Sequence, residues 1–162
     1  MGAPSTSAIR QLREHRVAFT EHPYRYEERG GTRVSARELG VDEHAVVKTL
    51  VMEDDRKRPL VVLMHGDREV SAKMLARQLG AKTVSICAPD AANRHSGYLV
   101  GGTSPFGLRK AMPIYVERTV LDLTRIYING GSRGFLVGID PGELTRVLHA
   151  TPVDVAVGPS SP

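Results

Sequence analysis

Two apolar runs rich in β-branched residues constrain the fold of this chain more than any other feature. Val46–Met52 and Leu60–Met64 are separated by the polar stretch Glu53–Pro59, and this arrangement is typical of a β-hairpin. The second run is apolar without interruption, which favours a strand buried on both faces. The pattern therefore predicts a core built around a sheet with this hairpin inside it.

Short helices and further strands surround the hairpin without strict alternation. Strands are predicted at Ala18–Tyr26, Thr83–Cys87, Pro113–Val116, Arg125–Ile128, Phe135–Ile139 and Val153–Val157. Helices are predicted after the caps Ser5 or Thr6, and at Val34–Leu39, Ser71–Leu79, Pro89–Arg94 and Pro141–Leu148. This order favours a mixed α/β fold over a doubly wound parallel one. We expect one compact domain over residues 1–157, with a barrel-like mixed sheet surrounded by helices, and a disordered tail at 158–162.

The composition narrows the class of protein. The 162 residues suffice for one domain with a proper core, and no apolar run approaches the ~18–20 residues of a membrane span. The first residues lack the continuous apolar stretch of a secretory signal, which favours the cytoplasm. The net charge of +4 is weak evidence for an anionic partner, strengthened by Arg109, Lys110 and Arg133 beside glycine-rich segments.

Common catalytic motifs are missing from the sequence. It has no phosphate-binding P-loop, no His-Glu-x-x-His metal helix and no Gly-x-Ser-x-Gly nucleophile elbow. The six histidines lack ligand spacing, and Cys87 is interpreted as a small buried apolar residue rather than a nucleophile. The sequence therefore predicts no metal and no cofactor.

Lys48 is the first unusual residue, because it interrupts a β-branched run. An ammonium group there must either point outwards from the sheet or enter a cleft. Solvent exposure is the ordinary outcome for a lysine in a strand. In a cleft, it could hold a phosphate or carbonyl oxygen as a point charge.

The second unusual feature is the segment from Ser96 to Gly107, which contains four glycines and Pro105. Glycines can turn successive backbone N–H groups towards one point, which suits an oxyanion or a phosphate. An ordinary Gly/Pro loop between strands explains the spacing equally well. Gly130–Gly134 is predicted to be a glycine-rich turn. It is a weaker signal, since hairpin turns are often this rich in glycine.

Three blocks of residues, in order, resemble the YbaK/EbsC family of Cys-tRNA(Pro) deacylases, which is related to the editing domain of prolyl-tRNA synthetase. They are Val-Lys-Thr-Leu around Lys48, Gly-Tyr-Leu-Val-Gly-Gly-Thr-Ser-Pro-Phe-Gly at Gly97–Gly107, and Gly-Gly-Ser-Arg-Gly at Gly130–Gly134. The resemblance runs over about residues 5 to 156. It implies a compact mixed α/β fold with a six- or seven-stranded barrel-like sheet.

The resemblance also implies a function: hydrolysis of mischarged tRNA by a trans-acting aminoacyl-tRNA deacylase, with Cys-tRNA(Pro) or Cys-tRNA(Cys) as substrate. Lys48 would orient the terminal adenosine or its ester, and the N–H groups of the Gly101–Pro105 loop would hold the scissile carbonyl. The implied catalytic residues are Lys48, Gly101, Gly102 and Ser104. The implied substrate-binding residues are Tyr24, Thr49, Tyr98, Thr103, Pro105, Gly130, Gly131, Ser132 and Arg133.

The implied chemistry needs no protein nucleophile, since an aminoacyl ester is already activated and a cysteine substrate can attack its own carbonyl and leave as a thiolactone. The expected partners are the acceptor end of aminoacyl-tRNA and, as an open alternative, prolyl-tRNA synthetase. No membrane partner is expected, and the protein is predicted to be a monomer or a homodimer.

Two departures from the family pattern leave open which amino acid is removed from the tRNA. No aromatic residue lies between Glu27 and Val34, and Leu136 stands where some members have an acidic residue. Alanine, serine or threonine are therefore alternatives to cysteine. A non-catalytic tRNA- or synthetase-binding module and an unrelated nucleotide- or phosphate-binding protein are alternatives from other classes.

Overall fold

The structure, a computed structural model, describes residues 4–159 of the chain. Its ten described strands are β1 (Thr20–Pro23), β2 (Val46–Asp54), β3 (Pro59–His65), β4 (Arg68–Val70), β5 (Val84–Ile86), β6 (Ile114–Glu117), β7 (Ile126–Ser132), β8 (Phe135–Ile139), β9 (Thr151–Val153) and β10 (Ala156–Pro159). Its five described α-helices are α1 (Ser7–Glu14), α2 (Gly31–Leu39), α3 (Ala72–Leu79), α4 (Pro89–Ser96) and α5 (Gly142–Leu148). Short 3₁₀ helices cover Glu43–Ala45 and Arg118–Asp122.

One large mixed sheet organises the molecule. Its strand order is β1-β8-β7-β2-β3-β6-β9, with β5 pairing to the end of β2, while β4 and β10 form a separate pair. The pairs β2/β7, β3/β6 and β6/β9 are parallel and the others antiparallel. The predicted mixed α/β class is confirmed. Within residues 4–159, β1 and β9 do not pair with each other, so the sheet is open rather than a closed barrel.

The predicted hairpin is the centre of the sheet. β2 and β3 pair over seven residue positions, with Lys48 opposite Met64 and Thr49 opposite Leu63. The residues of β3 from Leu60 to His65 are all buried, as the uninterrupted apolar run predicts. Strand alternation sends neighbouring side chains of β2 to opposite faces, and each face packs against its own helices.

The larger core cluster covers one face of the sheet. It joins Val47 and Val51 of β2 to Ile9 and Leu12 of α1 and to Leu144 of α5. On the other face, two smaller clusters contain Val46 with Ala36 of α2, and Met52 with Leu75 of α3. Lys48 therefore stands between two apolar clusters, on the α2 and α3 side of the sheet.

Local signals mark the ends of α1 and α3. Thr6 caps α1, its hydroxyl accepting a hydrogen bond from the Ile9 N–H at 3.1 Å. Ser71 caps α3, its hydroxyl accepting from the Met74 N–H at 3.2 Å. Gly80 ends α3 at φ +71°, in the left-handed region that glycine adopts without steric cost. None of the helices in the described part of the chain has the length and apolar character of a membrane span.

The predicted turn at Gly130–Gly134 is wrong for its first three residues, which belong to β7. A Cβ on Gly130 would lie 2.5 Å from the Phe135 ring, so glycine here makes room for a packed side chain. The predicted strand Val153–Val157 is two strands, because the N–H groups of Val155 and Ala156 donate instead to the buried Glu117 carboxylate, both at 2.9 Å.

Other boundaries also differ from those predicted, most of all at the first strand and at the tail. The strand expected over Ala18–Tyr26 forms only at β1, which lies at the edge of the sheet as Pro23 predicts. Of the tail expected at 158–162, residues 158 and 159 lie in β10, and residues 160–162 lie outside the described part of the chain.

Candidate active site

A large cavity lies along one edge of β2, between two neighbouring strand pairings. On this edge β2 pairs with β7 through Val46 and Val47, and with β5 through Met52–Asp54. Residues 48–50 of β2 lie between these two pairings, and we call them the open edge of β2. A cavity of about 690 Å³ lies there, within the size range of small-molecule sites.

Six of the predicted site residues line this one cavity, although they come from four separate parts of the sequence. Tyr24 follows β1, the open edge contributes two residues, the glycine-rich loop two, and the β7–β8 turn one. The six are Tyr24, Lys48, Thr49, Gly101, Thr103 and Arg133. The structure therefore brings together members of all three sequence blocks.

Lys48 lies in the cleft, not on an outer face. Its side chain is 20% exposed, and its Nζ lies 3.5 Å from the Gly66 carbonyl oxygen and 3.8 Å from Glu69 Oε1. The Gly66 carbonyl also accepts from the Thr32 hydroxyl at 3.2 Å, and that hydroxyl lies 2.8 Å from Glu43 Oε2. The ammonium is thus held beside the turn after β3, and this placement decides between the two alternatives that the sequence left open.

Thr49 also lines the cavity, on the strand next to Lys48. Its Oγ1 is buried and has no hydrogen-bond partner among residues 4–159. Buried hydroxyls in proteins nearly always have a partner. Because this oxygen is not accessible from the cavity, the binding role of Thr49 stays a prediction.

The glycine-rich loop forms the wall of the cavity opposite β2. Two of its glycines could not be replaced by a larger residue without strain. Gly101 has φ +93°, and a Cβ on it would lie 2.6 Å from the Tyr26 hydroxyl. A Cβ on Gly102 would lie 2.8 Å from the backbone nitrogen of Arg133. The loop therefore packs its backbone directly against the β7–β8 turn.

Side chains from β7 and from the β7–β8 turn hold the glycine-rich loop in place. The buried Asn129 donates from Nδ2 to the Gly101 carbonyl at 3.2 Å, while its Oδ1 accepts from the N–H groups of Gly131 and Ser132 at 2.6 and 3.1 Å. Arg133 donates from Nε to the Val100 carbonyl at 3.0 Å. Its guanidinium also lies over the Tyr26 ring, 5.4 Å from the centroid.

Several predicted residues support the loop from beneath instead of lining the cavity. The Tyr98 hydroxyl donates to the Phe106 carbonyl at 2.6 Å, and burial raises the pKa of Tyr98 to about 12. Ser104 is fully buried, and its Oγ accepts from the Phe106 N–H at 3.1 Å. The predicted residues outside the cavity lining are Gly102, Ser104, Tyr98, Pro105, Gly130, Gly131 and Ser132. Their placement favours positioning of the loop over direct contact with a ligand.

Two residues at the site were not predicted from the sequence as functional. Asn129 links the loop to β7, and the signal that could have identified it is a lone carboxamide directly before Gly130-Gly131. Tyr26 fills the space beside Gly101, and nothing in its local sequence marks it.

Burial and the neighbouring Tyr26 raise the pKa of Tyr24, so the Tyr24 phenol stays protonated at neutral pH.

The two positions that depart from the family both face the cavity. Thr32, with the preceding residues 27–29, forms part of its wall, and Leu136 is a buried lining residue packed with Ala36 and Val46. An aliphatic side chain at 136 makes this part of the cavity apolar. The departures noted in the sequence are thus located where they can change which ligand fits.

Known proteins resemble this chain in both sequence and structure. The family model of the aminoacyl-tRNA editing domain matches residues 29–147. The chain is 29% identical over 145 residues to the "Putative Cys-tRNA(Pro)/Cys-tRNA(Cys) deacylase EbsC" of Enterococcus faecalis, covering 89% of this chain and 88% of that protein. It is 27% identical over 125 residues, 76% of its length, to the proline–tRNA ligase of Streptococcus equi subsp. zooepidemicus, of which it spans only 20%.

A solved structure shares the same fold. The crystal structure of the hypothetical protein APE2540 superposes with a TM-score of 0.86 at 23% sequence identity, covering 93% of this chain and 99% of that one. At this level of identity the likeness establishes the architecture alone.

Proposed function

This chain belongs to the aminoacyl-tRNA editing domain family, and on that premise we propose that it is a trans-acting deacylase that removes a wrongly attached amino acid from tRNA. The predicted resemblance to YbaK/EbsC proteins and to the editing domain of prolyl-tRNA synthetase is confirmed. The reaction, the substrate and the site residues given below are the proposal.

One observation carries the proposal: Lys48 and the loop residues Gly101 and Thr103 line a single cavity from two walls. Within residues 4–159 the backbone N–H groups of Gly101 and Thr103 donate no hydrogen bond. A carbonyl oxygen placed between the walls would meet amide donors on one side and an ammonium group on the other. Such preorganised donors stabilise the charge that develops on the oxygen when the ester is attacked.

With a cysteine ester, the substrate can supply the nucleophile. The cysteine thiol attacks the carbonyl carbon, the bond from that carbon to the ribose oxygen breaks, and the thiol proton ends on the departing hydroxyl. The products are a thiolactone and free tRNA, and no protein group is consumed. The site would accelerate this step by holding the chain in the reactive conformation. For other amino acids, water would take the place of the thiol.

Another small amino acid is the second candidate, and Leu136 favours it. The cavity wall combines Leu136 with Thr32 and lacks an aromatic residue between Glu27 and Val34. Neither difference supplies a group that would select a thiol over a methyl or a hydroxymethyl group. Alanine, serine and threonine esters are therefore proposed beside cysteine.

The tRNA acceptor end is the proposed partner. Exposed Arg29 and Arg133 at the cavity are suited to backbone phosphates, which position a nucleic acid without reading its sequence. Since a homologous segment forms part of proline–tRNA ligases, we propose prolyl-tRNA synthetase as an additional partner and the cytoplasm as the location.

A deacylation panel tests the proposal. The purified protein is incubated with Cys-tRNA(Pro), Cys-tRNA(Cys), and tRNA(Pro) charged with alanine, serine or threonine, and release of the amino acid is followed over time. Release from at least one of them, well above spontaneous hydrolysis, is expected. Retention of tRNA with no release from any substrate would instead establish the non-catalytic binding module.

A further inference from the structure

Three side chains with metal-binding atoms converge behind one wall of the cavity. Glu53 lies near the end of β2, Cys87 directly follows β5, and His95 is in the last turn of α4. One carboxylate oxygen, the Sγ atom and one ring nitrogen all lie within 4.8 Å of one another. The residues are far apart in sequence, and only the packing of β2, β5 and α4 brings them together.

The chemistry of this set suits zinc more than calcium or magnesium. Thiolate, imidazole and carboxylate are the three protein ligands of Zn²⁺, at about 2.0–2.3 Å from the metal. Tetrahedral ligands at those distances lie about 3.3–3.8 Å apart, so the atoms need to approach by at most about 1.5 Å. Glu53 and His95 are only partly buried, which leaves their side chains able to make that adjustment.

We propose that Glu53, Cys87 and His95 form a binding site for a zinc-class divalent transition-metal ion, with water as the fourth ligand. This site is distinct from the carbonyl-binding groups proposed above, and it does not depend on the deacylase function. Binding forms a sulfur–metal bond and breaks the S–H bond of Cys87, whose proton passes to solvent.

The surroundings set the strength of this site. The Cys87 sulfur binds a metal as a thiolate, so the ion must displace the thiol proton. Lys57 pairs with Glu53 at 3.4 Å, and the charges of Arg94 and Lys110 act on His95. These cations oppose a bound metal, and we expect weaker binding than in a closed four-ligand zinc site.

A metal here would act on the cavity through Cys87. That residue lines the cavity together with Ile86, Pro89 and Ala92. An ion joining β2, β5 and α4 would fix this apolar part of the wall, which otherwise depends on packing and on the hydrogen bond from the Cys87 N–H to the Val51 carbonyl at 3.0 Å.

Cobalt titration of the reduced, untagged, full-length protein tests the site. Wild type should develop a thiolate-to-cobalt charge-transfer band that saturates at about one equivalent and disappears when Zn²⁺ is added. His95→Ala should bind Co²⁺ at least about tenfold more weakly, and Cys87→Ala should lose the band. His15→Ala, which removes an exposed histidine outside the cluster, should behave as wild type.

Thermal unfolding gives a second measurement that does not depend on the band. Zn²⁺ should raise the Tm of wild type and of His15→Ala, and should raise the Tm of His95→Ala less at the same concentration. Because His95 is partly exposed, its replacement should leave the metal-free Tm close to that of wild type. The proposal is overturned if wild type shows no charge-transfer band, or if His95→Ala binds cobalt as tightly as wild type does.

Discussion

The two walls of the cavity are built on different physical principles. The strand wall, residues 46–51 of β2, is held by backbone pairing with β3 over most of its length. The loop wall, Gly97–Gly107, has no regular secondary structure beyond the end of α4, and a few side chains from outside the loop hold it. Both walls present groups to the same cavity, yet only one is maintained by a repeating hydrogen-bond pattern.

This difference determines how each wall responds to mutation. On the strand wall, a side chain can be removed while the backbone stays in register, so loss of function should be separable from loss of stability. On the loop wall, each hydrogen bond and each glycine carries part of the conformation, so the two losses should occur together.

Lys48→Ala is the variant with the largest expected effect and the clearest test of the strand wall. Removing one charge-stabilising donor from an acyl-transfer site typically costs about 10²–10³-fold in rate, and we expect this loss in the deacylation rate. The Tm should change little, since the ion pair with Glu69 involves a carboxylate that is 55% exposed. Lys57→Ala, which removes an 82% exposed lysine, is the matched control. Activity of Lys48→Ala within about threefold of wild type would contradict the assigned role.

Gly101→Ala tests the loop wall at its most constrained position. The backbone at φ +93° and the contact with the Tyr26 hydroxyl both oppose a Cβ. We expect a loss of about 1–3 kcal/mol in the free energy of unfolding and about 10–100-fold in deacylation rate. Urea unfolding and initial rates measure the two quantities.

Gly80→Ala separates backbone strain from contact in that experiment. Gly80 has φ +71°, but no atom lies within 4 Å of a Cβ built there. Gly80→Ala should therefore lower the free energy of unfolding and leave the deacylation rate unchanged. Equal effects of the two variants on the rate would show that the loop wall does not depend on the approach of Gly101 to Tyr26.

Asn129→Ala should have a smaller effect, acting on the loop through its support. The variant leaves the N–H groups of Gly131 and Ser132 and the Gly101 carbonyl without their present partner. Unsatisfied buried groups cost about 1–3 kcal/mol, and a displaced loop should lower the deacylation rate about tenfold. Asn93→Ala removes only an exposed hydrogen bond, which Asn93 accepts from the Val100 N–H. This variant should lower the free energy of unfolding and the deacylation rate less than Asn129→Ala does. The opposite ranking would place the main support of the loop at α4.

The smallest expected effect concerns pH and the strand wall. His65, the last residue of β3, precedes the Gly66 carbonyl beside Lys48, and burial lowers the pKa of His65 below its ordinary value. The unfolded chain then binds a proton at His65 more readily than the folded chain does. Titration of His65 therefore leaves the free energy of unfolding unchanged above about pH 6.5 and lowers it as the pH falls below that value.

Urea unfolding of wild type and His65→Gln between pH 8 and pH 5.5 measures that contribution. Wild type should lose more stability over this range than the variant does. His22 and His95, whose pKa values burial also lowers, are present in both proteins and cancel in the comparison. Parallel pH profiles would show that His65 does not titrate on unfolding.

Local signals predicted most of the fold. The β2–β3 hairpin, the Thr6 and Ser71 caps and the left-handed glycine after α3 follow from residues that are neighbours in sequence. The errors arose where a distant partner decided the local conformation. Gly130 lies in β7 and leaves space for the Phe135 ring, and the strand expected at Val153–Val157 is divided where the Glu117 carboxylate accepts from Val155.

By itself, the sequence determined the composition of the site: an ammonium group in a strand, a glycine-rich loop and a second glycine-rich block in a fixed order. It did not determine which of these residues meet. Tertiary structure decided that β7 and β5 leave the open edge of β2 between them, that Tyr98 and Ser104 lie beneath the loop while Gly101 and Thr103 line the cavity, and that Asn129 joins the two glycine-rich blocks. The reason is physical: backbone propensity and hydrophobic patterning act between neighbours, whereas a cavity is the space left after distant elements have packed.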